Sequence, residues 1–204
     1  MPEKIHSYLA LGDSYTIGEG VPVYENFPYQ TVQLLRKNGH SFYAPEIMAK
    51  TGWTTDELQA GMQATHFLSF YDIVSLCIGV NNQYRGRSAS AYQSEFEALL
   101  QRAIQLAGNN SQHVFVLSIP DWGVTPFAKD RDGAVIAQAI DTYNAINKMV
   151  TGKYAVNYID VTPGTRLAKD DSSLLATDQL HPSGKEYERW AKELCAGITT
   201  VIKQ

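Results

Sequence analysis

The sequence predicts an α/β protein, a three-layer α/β/α sandwich built around a parallel sheet. Three observations carry this. Five short apolar runs alternate with stretches of helical periodicity along the 204 residues. Two of the runs, Ile-Val-Ser-Leu-Cys-Ile at 73–78 and Val-Phe-Val-Leu-Ser-Ile at 114–119, are near-continuous rather than alternating, as in strands buried on both faces. Small and polar residues follow each run, where a strand would hand over to a loop. Strand–helix alternation of this kind argues for right-handed crossovers that cover both sheet faces.

The elements follow in order. A first run at 7–11 breaks abruptly into Gly12-Asp13-Ser14. A helical pattern at 27–37 ends at Asn38-Gly39, a good C-terminal cap pair. The second run is 41–48, and a helix at 55–64 starts from a threonine cap. After the third run comes a helix at 89–107, with Tyr92, Phe96, Leu99, Leu100, Ala103, Ile104 and Ala107 at helical spacing, which stops at Gly108-Asn109. The fourth run leads to a helix at 133–150, the fifth run is 155–159, and a long loop precedes a last helix at 184–202. There is no internal repeat, low-complexity stretch or linker, so residues 1–204 read as one domain.

Composition narrows the partners. Hydrophobic residues make up 44% and charged residues 19%, with a net charge of -4 and a pI of about 5.7. These values argue against a nucleic-acid or anionic-membrane surface, which would favour basic patches; the densest, Arg85-Gly86-Arg87, is small. Cys77 and Cys195 are far apart and read as two buried thiols rather than a disulfide framework or metal site. The start, Met-Pro-Glu-Lys-Ile-His, is not a signal peptide, and no window approaches the roughly 18 apolar residues of a membrane span. The expected location is the cytoplasm.

In open α/β sheets, ligands sit at the carboxyl ends of the strands. Those ends carry Gly12-Asp13-Ser14, then Thr51-Gly52-Trp53-Thr54, then Gly79-Val80-Asn81-Asn82, then Pro120-Asp121-Trp122-Gly123, and finally a loop closing on Asp178-Gln179-Leu180-His181. Taken singly, each has an ordinary structural account. In that account Ser14 would cap a helix, Gly52 would end a turn, Asn81 and Asn82 would be left-handed turn residues, Asp178 would cap a turn, and His181 would be one histidine of five.

Together they spell a chemistry. A serine hydroxyl is a weak nucleophile until a base takes its proton, and histidine suits that task near neutral pH. The histidine needs an acid to fix its tautomer. Asp178 and His181 are three apart, so one helical turn or a tight loop puts both on one side, and Pro182 restricts His181 to extended geometry. An acyl-transfer oxyanion needs fixed donors, which the N–H of Ser14, the N–H of Gly52 and the amide of Asn81 could supply.

With these residues the chain resembles the SGNH, or GDSL-type, serine hydrolases. That family carries Ser, Gly, Asn and His in four separated blocks. "LGDSYTIGEG" resembles the first, with Ser14 as nucleophile; "KTGWTTDEL" the second, with Gly52; "IGVNNQYRG" the third, with Asn81; "DQLHPSGKEY" the last, with Asp178 and His181 as D-x-x-H. The resemblance implies a flavodoxin-like SGNH fold with a five-stranded parallel sheet in the order 2-1-3-4-5. It also implies that Ser14 attacks an ester carbonyl, His181 acts as base and then acid, Asp178 orients His181, and Ser14, Gly52 and Asn81 form the oxyanion hole. No metal or organic cofactor is implied. Two positions depart from the pattern: Tyr15 stands for the leucine of the naming motif, and Asn82 for the aspartate that commonly follows the oxyanion asparagine.

The expected partner is a small-molecule ester, either a carboxylic ester or a carbohydrate O-acetyl ester, with a short acyl chain because no long apolar lid is visible. Trp53, Asn82, Tyr84 and Trp122 are the candidate substrate contacts, with Arg85 and Phe127 also beyond strand ends and Phe127 read as loop packing. An O-acyltransferase would use the same serine and histidine. A flavodoxin-like cofactor binder fits less well, because Asp13 and Glu19 oppose a phosphate and the glycines at 12, 18 and 20 make no dinucleotide fingerprint. A non-catalytic module is disfavoured by the presence of all four block residues.

Overall fold

The structure, a computed structural model, describes residues 4–202. Among these residues, five strands, β1 (Tyr8–Gly12), β2 (Glu46–Ala49), β3 (Ile73–Cys77), β4 (Val114–Leu117) and β5 (Asn157–Ile159), form one sheet in the order β2-β1-β3-β4-β5. Every pairing is parallel, with Gly12 level with Ala49 on one side and Cys77 on the other. All five residues of β1 and all five of β3 are buried. Successive side chains point to opposite faces of a strand, so both faces of the sheet must be covered.

Among the described residues the cover comes from eight α-helices: α1 (Ser14–Ile17), α2 (Phe27–Lys37), α3 (Thr55–Gln63), α4 (Val80–Tyr84), α5 (Ala89–Leu106), α6 (Gly133–Lys153), α7 (Thr162–Thr165) and α8 (Gly184–Ile202). Helix α2 lies along α8, while α5 packs on both α3 and α6. Helix α8 shows why it docks: Tyr187, Trp190, Leu194 and Ile198 recur at three- and four-residue steps and are all buried. Trp190 meets Phe27 of α2 with ring centroids 5.8 Å apart. Side chains of this size each contribute about 1.5–3 kcal/mol when fully buried.

The sheet order and the helix pattern agree with the sequence reading, with local differences: α6 runs on to Lys153, and the chain departs from the expectation at 41–48, 155–159 and 81–82. The run at 41–48 pairs as a strand only from Glu46. Phe42 makes an isolated bridge to His6, and Pro45, which has no N–H to give a ladder, separates the two pairings. The run at 155–159 begins as the exit of α6, because Ala155 takes a left-handed backbone (φ 51°), and β5 starts at Asn157. Asn81 and Asn82 are helical, and it is Gly79 (φ 128°) that turns the chain from β3 into α4. Cys77 and Cys195 are both buried free thiols. No helix among the described residues is long and apolar enough to cross a membrane.

Candidate active site

Strand β1 stops at Gly12 because α1 folds straight back over it. A Cβ at Gly12 would lie 2.0 Å from Thr16 Oγ1 and 2.5 Å from the Cys77 carbonyl oxygen, so only glycine fits. Asp13 caps α1 by accepting the Tyr15 N–H at 3.0 Å. Ser14 is therefore the first helical residue, at the edge of the sheet, with its N–H outside the helix's own bonding. Asp13 itself is almost wholly buried, and burial pushes its carboxyl up to about 7 despite the hydrogen bonds it accepts from Tyr15 and Asn81.

The other half of the site comes from a small clasp before α8. Leu175 and Pro182 form an antiparallel bridge, Ala176 N–H donates to the His181 carbonyl at 2.8 Å, and Ser183 N–H donates to the Leu174 carbonyl at 2.8 Å. Within it the chain turns through a left-handed Gln179 (φ 58°). Asp178 Oδ1 then accepts both the Leu180 and His181 N–H groups at 3.0 Å, leaving Oδ2 for His181 Nδ1 at 2.6 Å. His181 Nε2 reaches Ser14 Oγ at 2.9 Å. The three side chains lie in one hydrogen-bonded line across 167 residues of sequence.

Burial acts to raise the Asp178 carboxyl, but the bonds from His181 and the two backbone N–H groups outweigh it and hold the group below the usual range. Asp178 is thus a carboxylate near neutral pH and accepts from Nδ1–H. That fixes the tautomer and leaves the Nε2 lone pair facing the Ser14 hydroxyl. The Tyr15 ring lies 4.8 Å from the imidazole, centroid to centroid, and limits its tilt. Gly20 closes the back of the clasp: a Cβ there would lie 2.9 Å from Ala176 Cβ and 3.3 Å from Asp178 Oδ2.

Ser14, Gly52, Asn81 and His181 all open onto one cleft of about 180 Å³. Among the described residues, no backbone group takes the N–H of Ser14 or of Gly52. Asn81 Nδ2 donates to the Trp53 carbonyl at 3.0 Å and weakly to Asp13 Oδ2 at 3.4 Å. The second of these protons is the one an incoming anion can take over. No group of three or more His, Cys, Asp or Glu side chains among the described residues is arranged to hold a metal ion.

A family model for the GDSL-like lipase/acylhydrolases matches residues 10–189. The chain belongs to that family of ester-hydrolysing enzymes. The family match thus reaches from the middle of β1 into α8, across all four blocks. Solved structures of esterases and acylhydrolases share the fold at low identity. A lipase/acylhydrolase from Enterococcus faecalis is 18% identical, with 95% of each chain covered and a TM-score of 0.75. An acetylxylan esterase from Geobacillus stearothermophilus is 16% identical, covering 96% of this chain and 95% of its own, with a TM-score of 0.74. A psychrotrophic esterase from a Pseudoalteromonas species, solved inhibited by monoethylphosphonate, is 16% identical over 98% of this chain and 100% of its own, at a TM-score of 0.70. A search of curated protein sequences finds no match.

Of the substrate contacts expected for this GDSL hydrolase, Tyr84 and Trp122 line the cleft, and Phe127 lines it with them. The three rings stand within 5.3–6.3 Å of one another, and the Arg131 guanidinium caps Tyr84 at 5.0 Å and Trp122 at 5.6 Å. Trp53 and Asn82 do not line it. Trp53 turns its indole against the Gly61 face of α3 and the Met48 methyl, where a Cβ on Gly61 would have no room. Asn82 is fully buried and bonds Thr55. Arg85 bonds the Gly52 carbonyl and Glu57, so its guanidinium is engaged with the loop. Val80 and Leu180, which also line the cleft, carried no chemical signal in the sequence because apolar residues beside motifs look like core. Asp13 and Gly20 were visible only as parts of "GDSYTIGEG".

Proposed function

We propose that the chain hydrolyses short-chain carboxylic esters, including O-acetyl esters of carbohydrates, through an acyl-enzyme on Ser14. The observation that carries this reading is the line Ser14 Oγ, His181 Nε2, His181 Nδ1, Asp178 Oδ2, with steps of 2.9 and 2.6 Å.

Ser14 Oγ attacks the ester carbonyl as its proton passes to His181 Nε2. Asp178 stabilises the imidazolium and keeps its orientation. The tetrahedral oxyanion takes hydrogen bonds from Ser14 N–H, Gly52 N–H and Asn81 Nδ2, the last giving up its long contact to Asp13. Collapse breaks the bond to the alcohol, which leaves with the proton from His181. Water then gives a proton to His181 as it attacks the acyl carbon, and the acid departs as Ser14 recovers the proton.

Size supports the short acyl chain. The cleft of about 180 Å³ is smaller than the roughly 300–1,000 Å³ of pockets for drug-sized ligands. The aromatic wall of Tyr84, Trp122 and Phe127 supports a flat or ring-shaped partner, and one structural neighbour is described as an acetylxylan esterase. The test is hydrolysis of p-nitrophenyl acetate by wild type and Ser14→Ala. Loss of roughly 10³-fold or more in kcat is expected; equal rates would remove Ser14 from the reaction.

A further inference from the structure

Helix α4 holds more than Asn81. Two of its side chains, Asn81 and Asn82, together with its capping residue Arg85, grip consecutive peptide groups of the segment that carries Gly52. Arg85 Nη2 donates to the Gly52 carbonyl at 2.6 Å. Asn81 Nδ2 donates to the Trp53 carbonyl at 3.0 Å. Asn82 Oδ1 accepts the Thr55 N–H at 3.1 Å. The loop's own contribution is small: one backbone bond, Trp53 N–H to the Lys50 carbonyl at 3.2 Å, closes the turn.

We propose that Arg85 and Asn82 are positioning residues that aim the Gly52 N–H into the cleft, so that α4 aligns two parts of the oxyanion hole at once. This rests on the role given to Gly52 above. Gly52 sits at φ 81° with open space where a side chain would be, the nearest atom being Arg85 Nη2 at 3.7 Å. A glycine in that state has other backbone wells within easy reach. A clamp on its carbonyl, on the Trp53 carbonyl and on the Thr55 N–H removes that freedom, and the Gly52 N–H keeps one direction.

The clamp is braced on both arms. Arg85 Nη1 also bonds Glu57 Oε1 at 3.3 Å, and Glu57 Oε2 accepts the Thr54 N–H at 2.9 Å. The guanidinium thus spans a loop carbonyl and the capping box of α3. Asn82 is fully buried, and its Nδ2 donates to Thr55 Oγ1 at 2.6 Å while Thr55 Oγ1 donates to Glu95. This chain of donors explains the amide at position 82. An aspartate there would face Thr55 Oγ1, whose one proton is already given to Glu95, so two carboxylates would compete for it.

The experiment compares wild type, Ser14→Ala, Arg85→Ala, Arg85→Lys and Asn82→Asp with p-nitrophenyl acetate. Ser14 phosphonylation by a p-nitrophenyl phosphonate, which expels p-nitrophenol, is read in parallel, since its tetrahedral adduct places a phosphoryl oxygen where the oxyanion forms. Loss of one oxyanion donor costs about 10²–10³ in kcat, so a donor left unaimed rather than removed should cost about 10–100-fold, with KM changed less than about threefold. Arg85→Ala should regain part of the loss on addition of methylguanidinium, and Arg85→Lys, which cannot span both acceptors, should stay low. Asn82→Asp should lose kcat, and the added change Glu95→Gln should restore it. Unchanged kcat in Arg85→Ala overturns the clamp. So does a loss of melting temperature and activity together with no rescue by methylguanidinium or by Glu95→Gln. If Ser14→Ala is inert while Arg85→Ala is fully active, only the clamp falls. Wild type inert to both reagents, or Ser14→Ala as active as wild type, overturns the catalytic reading and the clamp with it.

Discussion

Replacing Asp178 by asparagine changes one atom's bonding and should disable the base without unfolding the clasp. Asp178 Oδ1 holds the N–H groups of Leu180 and His181, each at 3.0 Å. An amide in Asp178→Asn keeps both bonds only with its oxygen at that place. Its NH₂ then falls 2.6 Å from His181 Nδ1, where the imidazole can meet it only by accepting. The ring proton moves to Nε2 and points at Ser14 Oγ, 2.9 Å away, so the base is gone. The opposite amide orientation would preserve the tautomer but lose two backbone bonds, about 1 kcal/mol each. At ~2 kcal/mol, that orientation holds only about one molecule in thirty. The expected loss in kcat is therefore at least about 30-fold and up to ~10⁴-fold, the full effect of a wrong tautomer. The assay is steady-state hydrolysis of p-nitrophenyl acetate, with circular dichroism to confirm the fold. An Asp178→Asn variant within tenfold of wild type would refute the tautomer argument.

Three further outcomes follow from the same geometry. Because burial pushes Asp13 up to about 7 from 3.8, its charge costs nothing in acid and its cost grows as pH rises through that interval; the melting-temperature advantage of Asp13→Asn over wild type should widen between pH 5 and pH 8, by ~2–3 kcal/mol in stability, and a constant or narrowing gap contradicts it. Gly12→Ala should lose about 3 kcal/mol or more in urea unfolding, since its Cβ would meet Thr16 Oγ1 and the Cys77 carbonyl at 2.0 and 2.5 Å; a change below about 1 kcal/mol would show that α1 can move off the strand. The small cleft should favour p-nitrophenyl acetate over the decanoate in kcat/KM, and the reverse preference would sink the short-chain reading.

The parts of this molecule that were legible in the sequence are those set by local chemistry. The doubly buried runs at β3 and β4 announced a parallel sheet because no polar alternation interrupts them. Asp178 and His181 were legible because three residues of separation and a following proline leave few ways to fold. Strand β2 is shorter than its apolar run because Pro45, inside the run, has no N–H to give the ladder. Side-chain direction was not legible at all. Trp53 and Trp122 both follow strands, yet one packs on α3 and the other lines the cleft. Which way each points depends on what lies across the fold, Gly61 for the first and Tyr84 for the second. Asn82 read as a substrate contact for the same reason; its true partner, Thr55, is 27 residues away.

The measurement closest to the central claim is mass spectrometry of the intact protein after exposure to a p-nitrophenyl phosphonate, followed by peptide mapping. Wild type should gain one phosphonyl group, located on Ser14, with loss of esterase activity in proportion to labelling. Ser14→Ala should gain none, and His181→Ala should label far more slowly. Stoichiometric labelling at another residue, or labelling of Ser14→Ala at the wild-type rate, would contradict the assignment of Ser14 as nucleophile.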